Sequence, residues 1–113
     1  MSKTIFCDID GTLVKHQERL PPLQQTIVLD GTADKLIEWV RKVYKLILVT
    51  GRRESARKMT EKELAKNGIL YDHLIMGAGV GERIIINDKT PDGKDSCSAI
   101  NLTRDTGIKT LEI

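Results

Sequence analysis

Hydrophobic positions in this chain alternate between short runs and stripes at helical spacing. Thr4-Ile5-Phe6-Cys7-Asp8-Ile9 runs into Asp10-Gly11, which predicts a buried strand over about 4–9 leading out into a turn. Leu46-Ile47-Leu48-Val49 is apolar throughout and ends in Thr50-Gly51-Arg52, as in a strand buried on both faces over 46–50. His73–Met76 predicts a shorter strand, and Ile84-Ile85-Ile86 before Asn87-Asp88 predicts another over 84–87. The tail alternates from Ile108 to Ile113, as a half-exposed edge strand over 109–112 does.

Helices are predicted between these runs. Ala33, Leu36, Ile37, Val40 and Val43 share one face of a helix over Thr32–Val43, with Trp39 on its flank as a packing residue. Gly31-Thr32 and Asp34 suit the helix start. Arg53–Lys66 is a charged helix with a thin stripe of Ala56, Met59, Thr60, Leu64 and Asn67, and Asn67-Gly68 ends it. Its lysines alternate with Glu61 and Glu63, which reads as a solvated face and not as a nucleic-acid surface. A last helix over 95–106 is capped by Asp95 or Ser96 and stopped by Gly107. Pro21-Pro22 excludes a helix interior there, so Lys15–Pro22 is left as a flap, with His16 a solvated loop residue. Strands alternating with helices predict an α/β fold with a parallel sheet covered on both faces.

Composition changes this picture little. At 113 residues the chain is expected to be one domain, 1–113, with a single core. A net charge of +2 and 4% aromatic residues argue against a nucleic-acid or anionic-membrane partner. Cys7 and Cys97 form neither a disulfide framework nor a CxxC pair, which suggests a reducing compartment. Neither a signal peptide nor a bilayer-spanning run is read, so a cytoplasmic protein is expected. Gly77-Ala78-Gly79-Val80-Gly81 is not GxGxxG and no helix follows it, so it reads as a connection.

The chemistry concentrates at strand ends. Asp8 and Asp10 form an acidic pair that is costly to hold together unless a cation lies between them. Asp8-Ile9-Asp10-Gly11-Thr12 after an apolar strand resembles the first motif of the haloacid dehalogenase-like (HAD) phosphohydrolases. Thr50-Gly51 after the second strand is similar to their second motif, and Asp88 after the isoleucine run to their acidic fourth motif. The resemblance implies a three-layer Rossmann-like fold with a five-stranded parallel sheet in the order 5-4-1-2-3 and no cap domain. It implies that Asp8 is the nucleophile and Asp10 the general acid/base. Asp8, Asp10 and Asp88 would hold Mg²⁺, Thr50 and Gly51 would bind phosphate, and Asp92 would be an outer-shell group at most.

The family's third-motif cation has no obvious counterpart. Lys89 is preferred and Arg83 comes next, with Arg57 and Lys58 earlier in the chain. The implied function is Mg²⁺-dependent phosphomonoester hydrolysis through an aspartyl-phosphate. Thr50-Gly51-Arg52 with Ile86-Asn87-Asp88-Lys89 is similar to small capless members linked to surface-polysaccharide synthesis, which implies a sugar phosphate. The alternatives are a polynucleotide phosphatase and a phospholigand-binding module without turnover. With no cap, the site would be closed either by a neighbouring subunit's flap in a homo-oligomer or by a substrate large enough to cover it.

Overall fold

The computed structural model describes residues 2–113. It is an α/β arrangement around three parallel strands: β1 (Thr4–Asp8), β2 (Lys45–Val49) and β3 (His73–Ile75), in the order β1-β2-β3. Ile5 stands opposite Leu46 and Asp8 opposite Val49, while Val49 pairs with Ile75 on its other side. The carboxyl ends of the strands therefore line up along one sheet edge. Leu46 and Leu48 are fully buried, and Ile47 and Val49 are half-buried.

Helix α1 (Thr32–Arg41) joins β1 to β2 and packs on β2. Its buried residues are Thr32, Leu36 and Trp39, whereas Val40 and Val43 are exposed. The apolar stripe read from sequence is thus rotated toward Trp39, because the indole is the largest apolar surface on the helix and burying it gains most. A 3₁₀ turn at Glu54–Ala56 leads into α2 (Arg57–Lys66). Gly68 has φ +67°, and the Ile69 N–H donates to the Leu64 carbonyl at 2.9 Å, closing the helix at Asn67-Gly68. The core joins Ile9, Leu13, Val14, Leu36, Trp39, Leu46, Leu48, Leu64, Ile69, Leu74, Met76 and Ile108.

Beyond β3 the expected elements do not form. Residues 84–87 make no strand, 95–106 no helix and 109–112 no edge strand, so the sheet has three strands and not the five of the order 5-4-1-2-3. Only residues 76–83 separate β3 from the isoleucine run, and Gly77, Gly79 and Gly81 lie among them. A parallel crossover usually takes about a dozen residues or more, commonly a helix that also covers the new strand. Ile84 and Ile86 consequently stay 76% and 94% exposed. Ser, Asn and Thr crowd residues 96–106, where short polar side chains compete with helical hydrogen bonding. The Ser96 hydroxyl donates to the Asp88 carbonyl, and Thr106 Oγ1 donates to the Thr103 carbonyl at 2.7 Å. The chain is back against the body by Asp105, whose N–H donates to the Gly11 carbonyl at 2.8 Å, and it enters the core at Gly107-Ile108. There the Ile108 N–H donates to the Asp30 carbonyl at 3.1 Å, and the side chain is fully buried.

Candidate functional site

Asp8 is the last residue of β1, and Asp10 follows in a tight turn. The Ile9 carbonyl accepts N–H bonds from Thr12, Leu13 and Val14 at 3.2, 2.9 and 3.2 Å. Gly11 takes φ +84°, where a side chain would be strained, and its N–H donates to the Val14 carbonyl at 2.7 Å. The turn fixes both carboxylates at the carboxyl end of the sheet, where open α/β folds bind ligands. Leu13–Lys15 then runs against Ile27–Leu29: the Lys15 N–H donates to the Ile27 carbonyl and the Leu29 N–H to the Leu13 carbonyl, at 2.8 and 3.0 Å. These bonds make a short stem for the flap beyond it.

Each aspartate faces its own arginine. Arg52 grips Asp10 with two bonds, Nε to Oδ2 at 2.9 Å and Nη2 to Oδ1 at 2.8 Å. Its Nη1 donates to Glu63 Oε1 at 2.5 Å and to Thr60 Oγ1 at 3.1 Å. Glu63 Oε2 in turn accepts from Thr26 Oγ1 at 2.6 Å, so the network runs from Asp10 through α2 to the flap. The Arg52 and Glu63 side chains are only 4% and 3% exposed. Burial works against the Arg52 charge, but the hydrogen bonds to Asp10 and Glu63 outweigh it and raise the guanidinium above its ordinary range. A planar fork on a carboxylate fixes orientation as well as charge. Asp8 is held more loosely: Arg83 Nη1 donates to its Oδ1 at 3.1 Å, and Thr12 Oγ1 donates to its Oδ2 at 3.3 Å.

Thr50 ends up beside this pair, fully buried after β2. Its N–H donates to the Ile75 carbonyl at 2.9 Å, and its Oγ1 accepts the Arg52 N–H at 3.1 Å. Gly51 sits under the carbonyl of Gly79, which a Cβ would meet at 2.6 Å, so only glycine lets the two turns approach.

Other residues singled out from sequence lie elsewhere. Asp88 is exposed, its carbonyl tied to Ser96. Asp92 is exposed and takes a hydrogen bond from Thr90 Oγ1. Lys89 Nζ is 3.8 Å from Asp95, both exposed, whereas Arg83 is the cation candidate that reaches Asp8. Arg57 is occupied by Glu54 and by the Leu74 carbonyl. Asp8 and Asp10 offer the hard oxygen donors that suit Mg²⁺. The full set of three does not fit: among the described residues no three His, Cys, Asp or Glu side chains gather as a metal site, and both oxygens of Asp10 are taken by Arg52.

The residues that sequence reading passed over are Arg52, Glu63 and Thr60. Arg52 appears in the sequence only as the residue after Thr50-Gly51. The available signal was a glutamate at position 63 on the same stripe as Thr60 and Leu64, where a carboxylate needs a buried cation.

Residues 2–85 match the family model described as the polynucleotide kinase PNKP phosphatase domain. A solved structure titled "Structure of Pnkp1/Rnl/Hen1 complex" is 32% identical with a TM-score of 0.57, over 74% of this chain and 30% of that one. The D,D-heptose 1,7-bisphosphate phosphatase from B. bronchiseptica, complexed with magnesium and phosphate, is 17% identical with a TM-score of 0.50, over 84% of this chain and 54% of that one. The chain thus spans about a third and about half of the lengths of these two proteins. No curated protein matches.

Proposed function

The chain belongs to the family of the polynucleotide kinase PNKP phosphatase domain, a branch of the HAD superfamily, and we propose that it hydrolyses phosphomonoesters through Asp8. That it is a HAD-type phosphatase follows from the family. The route and the substrate are our reading. The observation that carries it is the pair Asp8 and Asp10 at the end of β1, beside buried Thr50 after the neighbouring β2.

In this reading an oxygen of Asp8 attacks phosphorus, and the bond to the leaving oxygen breaks as Asp10 delivers a proton to it. Asp10 then takes a proton from the water that attacks the aspartyl-phosphate, releasing phosphate and restoring Asp8. Asp10 enters the first step protonated, which requires one of its two Arg52 bonds to open, while the other keeps the carboxyl in place through both steps. The Thr50 hydroxyl, the Gly51 N–H and the Arg83 guanidinium serve the phosphoryl oxygens, with Lys89 as the other cation offered by the sequence. Mg²⁺ belongs to the proposal as a charge-neutralising group that Asp8 and the backbone carbonyl of Asp10 would hold, since Arg52 takes both side-chain oxygens of Asp10, and Asp88 would join it only if its segment came up to β1. The heptose bisphosphate phosphatase structure, complexed with magnesium and phosphate, supports that part by likeness of fold.

For the substrate, the family match and the 32% identity to the Pnkp1 complex favour a polynucleotide end. The sugar phosphate remains the second reading, supported by the likeness of Thr50-Gly51-Arg52 and Ile86-Asn87-Asp88-Lys89 to polysaccharide-linked members and by the heptose enzyme's fold. A screen of sugar phosphates, nucleotides and 3′-phosphorylated oligonucleotides, with and without Mg²⁺, tests both. Phosphate release from the oligonucleotides at the highest kcat/KM is expected, and chelation with EDTA should abolish it. A preference for sugar phosphates reverses the order of the two readings, and full activity after exhaustive chelation removes the metal from the mechanism.

A further inference from the structure

The geometry points to the groove between α2 and the flap as the track for the single-stranded polynucleotide leading to the phosphate at the active site, an inference that rests on the polynucleotide reading of the substrate. The groove has a volume of about 740 Å³ and is lined by Pro22, Gln24 and Gln25 on the flap side and by Lys58, Lys62 and Lys66 on α2. The three lysines recur every fourth residue, so they stand on one helix face about 6 Å apart along the axis. All three are exposed. The lysine–carboxylate pairs among the described residues are elsewhere, at Lys35–Glu38, Lys89–Asp95 and Lys94–Asp92.

The acidic residues interleaved with these lysines do not cancel them. Glu61 lies 4.0 Å from Arg57 and, among the described residues, is in no ion pair with the three lysines. Glu63 turns inward, its oxygens taken by Arg52 and Thr26. In sequence the helix reads as mixed charge. In space it presents a stripe of three free ammonium groups to a groove.

Glu63 and Thr26 also line this groove, and Glu63 bonds the arginine that grips Asp10. The groove therefore adjoins the buried Glu63–Arg52 pair that holds the proposed general acid, and the strand would pass around that pair to reach Asp8. The volume is in the range that takes a drug-sized group, enough for a short stretch of single strand. The flanking Gln24 and Gln25 carry amides suited to bases or sugars. Aromatic residues do not line the groove, so affinity has to come from the backbone phosphates and to fall with salt.

The test uses the full chain and a fluorescent 3′-phosphorylated single-stranded oligonucleotide, with binding read by anisotropy across a salt series. Hydrolysis of p-nitrophenyl phosphate by the wild-type protein is measured in parallel. The combined variant Lys58→Gln, Lys62→Gln, Lys66→Gln should weaken binding at least about tenfold and lower the slope of log Kd against log salt by about 2. Removing the same charge around Tyr44, with Lys3→Gln, Lys42→Gln and Lys45→Gln, should leave Kd within about twofold. Equal losses in both variants overturn the track, because the attraction is then only that of net charge. A wild-type protein that hydrolyses p-nitrophenyl phosphate but does not bind the strand also overturns it, and the phosphatase reading survives. Strand binding through the three lysines without any phosphatase activity upholds the track and defeats the phosphatase reading instead.

Discussion

Two apolar runs of similar composition end differently in this protein. Leu46–Val49 becomes the central strand, paired on both sides, with Leu46 and Leu48 inside the core. Ile84–Ile86 stays outside, unpaired and exposed. Intrinsic strand preference does not separate them, since isoleucine is among the best strand formers. What differs is the approach. The chain reaches β2 through α1, a helix that also covers the sheet, while it leaves β3 through a short glycine-rich connection with nothing to cover a further strand. An apolar run becomes a strand when the chain before it supplies both the crossover and the cover.

Burial makes the same division among the ion pairs, and the largest expected effect lies there. Arg52→Ala leaves Glu63 buried without its cation and frees Asp10, and should cost about 3–5 kcal/mol in urea unfolding. Arg83→Ala breaks the half-exposed contact to Asp8 and should cost under about 1 kcal/mol. Equal costs would mean that Asp8 is buried against Arg83 in solution. Leu48→Ala should cost about 2–5 kcal/mol by the same measurement. Ile86→Ala should change stability by no more than about 0.5 kcal/mol. A large loss at Ile86 would place the isoleucine run inside the protein and restore a larger sheet.

Smaller effects sharpen the boundary between the two regions. Gly107, at φ +82°, has the Asp30 carbonyl oxygen 2.5 Å from where a Cβ would lie, just where the exposed stretch rejoins the core. Gly107→Ala should cost about 1–3 kcal/mol and raise hydrogen exchange at Ile108. The smallest effect is a difference of rate. Burial, and secondarily the Asp8 charge, push the Cys7 thiol up to about 12, whereas Cys97 is exposed. At pH 8 Cys7 remains protonated, and iodoacetamide should label Cys97 at least about ten times faster. Comparable rates would mean that β1 opens readily at its unpaired side.

The legible part of the fold is the part with local signals. Asp8, Asp10 and Gly11 end the first strand as read, Thr50 and Gly51 follow the second, and Asn67-Gly68 stops α2. These positions depend on turn and cap chemistry within a few residues. The order of the first three strands agrees with what the family resemblance implied, and one helix joins each pair. The isoleucine run and the tail were misread because pairing depends on a partner edge that no local pattern describes. Arg52 was passed over for a related reason: its partners Asp10, Thr60 and Glu63 come from other elements and meet only in space. The lysines of α2 were read as balanced by acids that the fold turns away.

Asp8 is the residue on which the account stands. The most direct measurement is phosphate release by wild-type protein and by Asp8→Asn, with Mg²⁺ present and folding checked by circular dichroism. Asp8→Asn should keep the fold and lose at least about a thousandfold in kcat/KM, because an amide cannot form the acyl-phosphate. A folded Asp8→Asn protein that releases phosphate at a rate near wild type would contradict the account.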